Sequence, residues 1–230
     1  MNETPLPGGF INEVVRIGDT VRRPLHARSP FVHRLLLHFE RQGWRGAPRY
    51  LGVDGKGREV LAFVDGHVPA RSSEGLAAVA RLVREFHDLT AGTDLAGDQE
   101  VVCHNDLSPK NTVYRDDHVP FAFIDWDLAA PGKRIHDIAH VCWQYVDLED
   151  PPVVAEGLRT VCDAYGLDDR GRLVETILWW QDRCAHGIET DPALAGLRES
   201  GAGRSVRAAH TWFTEHRAEL EAALKPPPAP

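Results

Sequence analysis

"VVCHNDLSPKNTVY", residues 101–114, is the stretch on which the reading of this chain turns. It opens like a buried strand, places His104, Asn105, Asp106, Lys110 and Asn111 within eight residues, and turns apolar again at Val113. A second apolar run, "PFAFIDWD" (residues 120–127), ends in Asp125 and Asp127. Strands that deliver carboxylate and amide oxygens into a common space are how a protein holds Mg²⁺. Asn111 and Asp125 stand at either end of a turn, strand, turn, strand unit, so a hairpin return sets them side by side. Asp106 then falls beside the metal without being a ligand, where a general base belongs. Lys110, one of four lysines in the chain, is a candidate to stabilise charge on a transferring group.

Working outward, "EVVRIGDTVRR" predicts two strands, Glu13–Ile17 and Thr20–Arg23, around the turn Gly18-Asp19. Phe31, Leu35, Leu36 and Phe39 recur at helical spacing after Pro30, with Gly43 as the stop. Residues 48–66 carry two more strands around "DGKG", and Ser72–Thr90 reads as an amphipathic helix capped by Ser72 or Ser73. Downstream of a short strand at Phe121–Ile124, the chain is helical over residues 134–146, 151–165, 172–188 and 203–224. A sheet-rich front and a helix-rich back predict an α+β chain of two lobes. We place the first at residues 1–67, the second at 68–222, and a disordered tail at 223–230.

The chain of 230 residues has 43% hydrophobic and 26% charged residues, in the range of globular domains. Its net charge of −8 leaves no basic excess to displace counterions, which argues against nucleic acid as a partner. No apolar run approaches the roughly 18 residues of a membrane helix, and the start lacks a signal peptide's pattern, so we expect a cytoplasmic protein without a membrane partner. Cys103, Cys142, Cys162 and Cys184 form no C-x-x-C pair and sit among apolar neighbours, as reduced buried thiols do.

His104-x-Asp106 followed by Asn111 resembles the H-x-D-x-x-x-x-N catalytic loop of protein-kinase-like phosphotransferases. "IDWD" resembles the element that replaces their D-F-G metal motif in one branch. Together, "HNDLSPKN" and "IDWDLAAPG" are most similar to the aminoglycoside phosphotransferase and choline kinase group, and the resemblance runs from about Gly8 to about Leu220. It implies a bilobal protein-kinase-like fold, with a small β-rich N-lobe that binds ATP or GTP and a larger helical C-lobe that holds the acceptor. Asp106 would orient an acceptor hydroxyl or take its proton, and Asn111 and Asp125 would bind Mg²⁺ on the phosphates. His104 would pack under the loop, and Asp137 would tie its helix to the loop backbone. Asp127 is open between contact with the metal shell or the acceptor and a helix-capping or surface role.

The front lobe departs from the family pattern. The only front-lobe lysine is Lys56, in the "DGKG" turn, so Arg22 or Arg23 would have to hold the phosphates, with Arg22 preferred. Strand alternation sends the two to opposite faces. The helix glutamate that pairs with the family's lysine is missing, and His33 stands near its place. "GGFINEVVRI" (residues 8–17) would cover the phosphates with Gly9 and Asn12, while Val15, Phe63, Val64 and Ile124 would wall the base. The acceptor would be a small-molecule hydroxyl, aminoglycoside-like and amine-bearing first, with choline, homoserine or another metabolite compatible. Asp147 to Asp150, Glu175, Asp182, Glu189 and Asp191 are available to an amine, and Trp179, Trp180 and Trp212 to a ring or cation. The rival of another class is a nucleotide-binding regulator without turnover, suggested by the missing lysine and glutamate. A hydrolytic metal centre built on His104, Asp106 and Asp125 lacks further histidine ligands.

Overall fold

The computed structural model describes residues 3–6, 14–69, 75–115 and 119–225. Its front half is a five-stranded antiparallel sheet in the order β1-β2-β3-β5-β4, made of β1 (Thr4–Pro5), β2 (Val15–Ile17), β3 (Thr20–Pro24), β4 (Tyr50–Val53) and β5 (Arg58–Ala62). α1 (Ser29–Arg41) crosses one face of this sheet. Proline near its start fits a turn whose first N–H groups need no partner. Val32, Leu35, Leu36 and Phe39 form its buried stripe. Val32 thus replaces Phe31, which the spacing had placed there and which is only half-buried.

α2 (Leu76–Thr90) follows. It begins at Leu76 behind Gly75, whose left-handed φ of +73° a serine would not favour. The caps expected at Ser72 or Ser73 lie outside the described residues. β6 (Val101–Cys103) pairs with β9 (Ala130–Gly132), and β7 (Thr112–Arg115) forms a hairpin with β8 (Val119–Phe123). The helical remainder is α3 (Arg134–Tyr145), α4 (Pro151–Tyr165), α5 (Leu173–Thr190), α6 (Ala195–Glu199), α7 (Ala202–Glu215) and α8 (Arg217–Ala223). Two of these differ from the sequence pattern: α6 was not anticipated, and the last predicted helix breaks at His216 into α7 and α8. The first residues assigned to the tail, Ala223 and Leu224, belong to the packed structure. α8 runs to Ala223 and Leu224 is 4% exposed, packed in the core, whereas residues 226–230 lie outside the described residues.

One apolar cluster joins the two halves. It runs from Val32 and Phe39 of α1 through Phe86 of α2 and Trp126 to Phe213, Leu220 and Leu224. Phe39 meets Trp126 edge-on at 5.1 Å and Phe86 at 6.4 Å. Each such fully buried large side chain contributes about 1.5–3 kcal/mol relative to exposure. Between the halves, the segment after β5 is clamped to β7 by paired hydrogen bonds between His67 and Tyr114. Gly66 makes this approach possible: a Cβ there would stand 2.6 Å from the Tyr114 carbonyl oxygen, and its φ is +150°.

Candidate active site

Three pieces of backbone build the site, and each is held from behind. Asp137, wholly buried at the start of α3, accepts from the N–H groups of His104 (2.7 Å) and Asn105 (2.9 Å) and pairs with His87 Nε2 at 3.1 Å. Burial opposes its ionisation, yet these donors hold the carboxyl below its usual range. His104 is buried, its Nε2 3.1 Å from the Ile124 carbonyl oxygen. His140 Nδ1 donates to the Leu107 carbonyl at 2.7 Å. The loop that carries Asp106 is therefore pinned on both sides of that residue.

The hairpin of β7 and β8 brings the two halves of the motif together. Thr112 pairs with Phe123, and Ile124 N–H donates to the Asn111 carbonyl at 2.9 Å, which places Asn111 beside Asp125. Asn111 Nδ2 donates to the Asp106 carbonyl oxygen (2.9 Å) and to Asp106 Oδ2 (2.7 Å). Both amide hydrogens being engaged, its Oδ1 is left as an acceptor. With the half-exposed Asp125 carboxylate, this oxygen makes a hard-oxygen pair of the kind Mg²⁺ takes, and the residues present fit that ion. Asn105 and Asp125 are the described non-glycine residues with positive φ, +65° and +64°. A left-handed backbone costs an L-residue about 1–2 kcal/mol, and both strained positions flank the same space. Lys110 is exposed on the turn between them.

The sheet supplies the cation. Arg23 pairs with Glu59 across β3 and β5, so both side chains lie on the face toward Asp125. Arg23 Nε contacts Glu59 Oε1 at 2.6 Å, Nη1 contacts Asp125 Oδ1 at 3.3 Å, and Nη2 contacts Asp127 Oδ1 at 2.6 Å. Burial weighs against the guanidinium charge, but Asp127, Glu59 and Asp125 more than offset it and raise the pKa. Arg22, preferred from the sequence, faces the other way and lies 3.6 Å from Asp54. The reason is strand alternation, and it reverses the preference. Val15, offered as a wall of the base slot, shares the rung of Arg22 and so also faces away from Asp125. Gly9 and Asn12 lie outside the described residues. Phe63 and Val64 are half-buried on the connection after β5, beside a cleft of about 1010 Å³ that Arg45, Arg49 and Arg115 also line.

Residues that the motif did not single out complete the arrangement. Glu59, 0% exposed on β5, stands as the buried carboxylate partner of the strand arginine, the role for which no helix residue was found. His33 on α1 reaches Glu59 Oε2 at 2.8 Å, so the helix is linked to the pair through a histidine. The alternation of β5 against β3 was the available signal. His26 Nε2 lies 3.1 Å from Asp127 Oδ1.

Four of the acidic residues offered to an amine, Glu175, Asp182, Glu189 and Asp191, are otherwise engaged. Arg207 spans Asp182 and Glu189, both at 2.8 Å, Arg172 holds Glu175 at 2.7 Å, and Asp191 accepts from the Ala193 N–H. Trp180 is buried and donates to the His136 carbonyl, while Trp179 is 47% exposed and stacked on His136 at 5.6 Å. Cys142 and Cys162, distant in sequence, meet between α3 and α4.

Three histidines of this half are held neutral by burial: His87, His136 and His140 all have pKa values lowered from the ordinary one. In the unfolded chain they bind protons at about 6.5, and in the folded chain only at lower pH. The unfolded state thus binds more protons in that window, so stability rises with pH through it. The low Asp137 pKa acts in the same direction at more acidic pH. The thermal midpoint is expected to be lower at pH 5.5 than at pH 7.5; a flat profile would mean that these histidines are not desolvated.

The chain is similar to known phosphotransferases in sequence and in fold. A model of the phosphotransferase enzyme family APH matches residues 93–174, which include the loop, the hairpin and the start of the helical half. A trifolitoxin immunity protein from Rhizobium leguminosarum bv. trifolii is 30% identical over 97% of this chain and 99% of its own length. A choline/ethanolamine kinase family protein from Mesorhizobium loti superposes with a TM-score of 0.55 at 17% identity, covering 99% of this chain and 89% of that one. An aminoglycoside phosphotransferase from Streptomyces rimosus, solved with ADP and streptomycin, gives 0.56 at 15% identity, over 77% of this chain and 90% of its own. The fold is protein-kinase-like. Among the described residues, no helix is long and apolar enough to cross a membrane.

Proposed function

The chain belongs to the phosphotransferase enzyme family, and from that premise we propose that it transfers the γ-phosphoryl group of ATP or GTP to a hydroxyl of a small molecule. The observation that carries this reading is the convergence of Asp106, Asn111, Asp125 and Arg23 within one hydrogen-bonded and ion-paired array. Asp106 orients the acceptor hydroxyl and receives its proton; for a loose transition state, position matters more than basicity. Asn111 Oδ1 and the Asp125 carboxylate would hold Mg²⁺, which when bound would offset charge on the nucleotide phosphates. Arg23 takes the place of the family's strand lysine, and a guanidinium can grip two phosphate oxygens at once. Lys110 meets the transferred group from the loop side. The base is received at the connection after β5, near Phe63, Val64 and Ile124.

The acceptor remains an alcohol of a small molecule. The aminoglycoside-like reading keeps the support of the neighbour that holds streptomycin, but the pairing of Asp182 and Glu189 with Arg207 favours widening the search beyond polyamines. A second reading concerns the role: a 30% identical relative is a trifolitoxin immunity protein, which favours an acceptor that is a toxin. The test is acceptor-dependent ADP or GDP release with Mg²⁺ on a panel of aminoglycosides, choline, homoserine, sugars and toxins, in wild type and Asp125→Asn. Transfer that needs both an acceptor and Asp125 is the expected result. Tight nucleotide binding without turnover across the panel points to a regulator instead, and no nucleotide binding overturns the proposal.

A further inference from the structure

The sheet carries an arginine where the base must enter. Arg16 of β2 is paired with Val21 of β3, and Val21 with Leu61 of β5. Antiparallel partners point to the same face, and every second residue repeats it, so this rung shares the face of the rung that joins Arg23 and Glu59. Phe63, two residues beyond Leu61, continues the series at the connection between the halves. The guanidinium carbon of Arg16 lies 3.6 Å from the centre of the Phe63 ring, and its Nε donates to the Gly18 carbonyl at 2.8 Å. A planar guanidinium covers an aromatic face much as a purine would. With Arg23 at the phosphate end, the base of a bound nucleotide extends along this face toward Phe63, the place that Arg16 fills.

We propose that Arg16 is a displaceable gate of the base slot. It occupies the stacking surface of Phe63 in the free protein, is moved aside by the purine of a nucleoside triphosphate, and so sets nucleotide affinity without touching phosphate. The inference rests on the nucleotide reading above. The contact that must be broken is a part-exposed cation–aromatic one, so its removal is expected to tighten nucleotide binding about two- to five-fold.

Calorimetric titration of the full chain with Mg·ATP, Mg·GTP and Mg·tripolyphosphate tests it in wild type, Arg16→Val and Arg16→Lys. Valine suits a strand, and lysine keeps the charge but loses the planar cover. Both nucleotides are expected to bind more tightly to Arg16→Val, with Arg16→Lys in between and tripolyphosphate unchanged within about two-fold. Equal or weaker nucleotide binding in a folded Arg16→Val, with a wild type that binds normally, overturns the gate and leaves phosphoryl transfer standing. Equal tightening for tripolyphosphate overturns it too, since the base would not be what Arg16 meets. If no variant binds either nucleotide, the gate and the phosphotransferase reading fall together.

Discussion

Asp106→Ala is expected to lower the turnover of acceptor-dependent nucleotide cleavage by about 10²- to 10⁴-fold, the range of a positioned acid–base group. The nucleotide KM should stay within about two-fold, because a group that acts on the acceptor contributes to kcat rather than to nucleotide binding. The loop should survive the change. Asn111 Nδ2 keeps its bond to the Asp106 backbone carbonyl, and the loop's anchors are Asp137 and His140, neither of which bonds the Asp106 side chain. Steady-state kinetics on the best acceptor, with a thermal melt as control, gives the answer. A loss smaller than about ten-fold would remove Asp106 from the reacting atoms and leave it as a brace for Asn111.

Arg23→Ala is expected to be the costliest substitution on the sheet. It would leave Glu59, 0% exposed, without its guanidinium partner. Breaking a buried pair from one side costs about 3–5 kcal/mol. His33 stays within 2.8 Å of Glu59 and brings the loss toward the lower end. For a chain of this length, that corresponds to a fall in Tm on the order of 10 °C. Arg22→Ala is the matched control: its contact with Asp54 is longer, at 3.6 Å, and its loss is expected to cost less than about 1 kcal/mol. Glu59→Gln in the Arg23→Ala background should recover part of the loss, since a neutral amide is cheaper to bury than an unpaired carboxylate. Equal melts for the two arginine variants would show that Arg23 and Glu59 are not a buried unit.

The helical half was legible because its signals are local. Apolar spacing on α2 to α5, the prolines that open α4 and the polar loop between two apolar runs each lie within one window of sequence. So was the meeting of Asn111 with Asp125, since a short hairpin leaves little choice of register. What was not legible depends on partners distant in the chain. The choice of Arg23 over Arg22 is one residue of phase on β3, fixed only when β5 pairs with it 36 positions away. Glu59 carries no local signal, because the family pattern places the partner on a helix and a strand carboxylate has no motif of its own. The ion pairs of Arg207 with Asp182 and Glu189 arise from α7 packing on α5, which no periodicity reports. The break at His216 was hidden in the same way, as α8 turns to pack on α4.

The edge-on contact of Phe39 with Trp126 bears on how the cleft can change width. α1 is fastened by its apolar stripe into the core of the helical half, while His33 on its other side holds the sheet through Glu59. The two halves are therefore not separate bodies swinging about the connection at Gly66. A change in cleft width that leaves α1 in the helical core would be shear, with the strands moving over the helix. Such travel would have to stretch the His33–Glu59 link together with the contacts of Arg23 to Asp125 and Asp127, so the grip of Arg23 on an incoming anion is adjusted by small offsets within a single packed body.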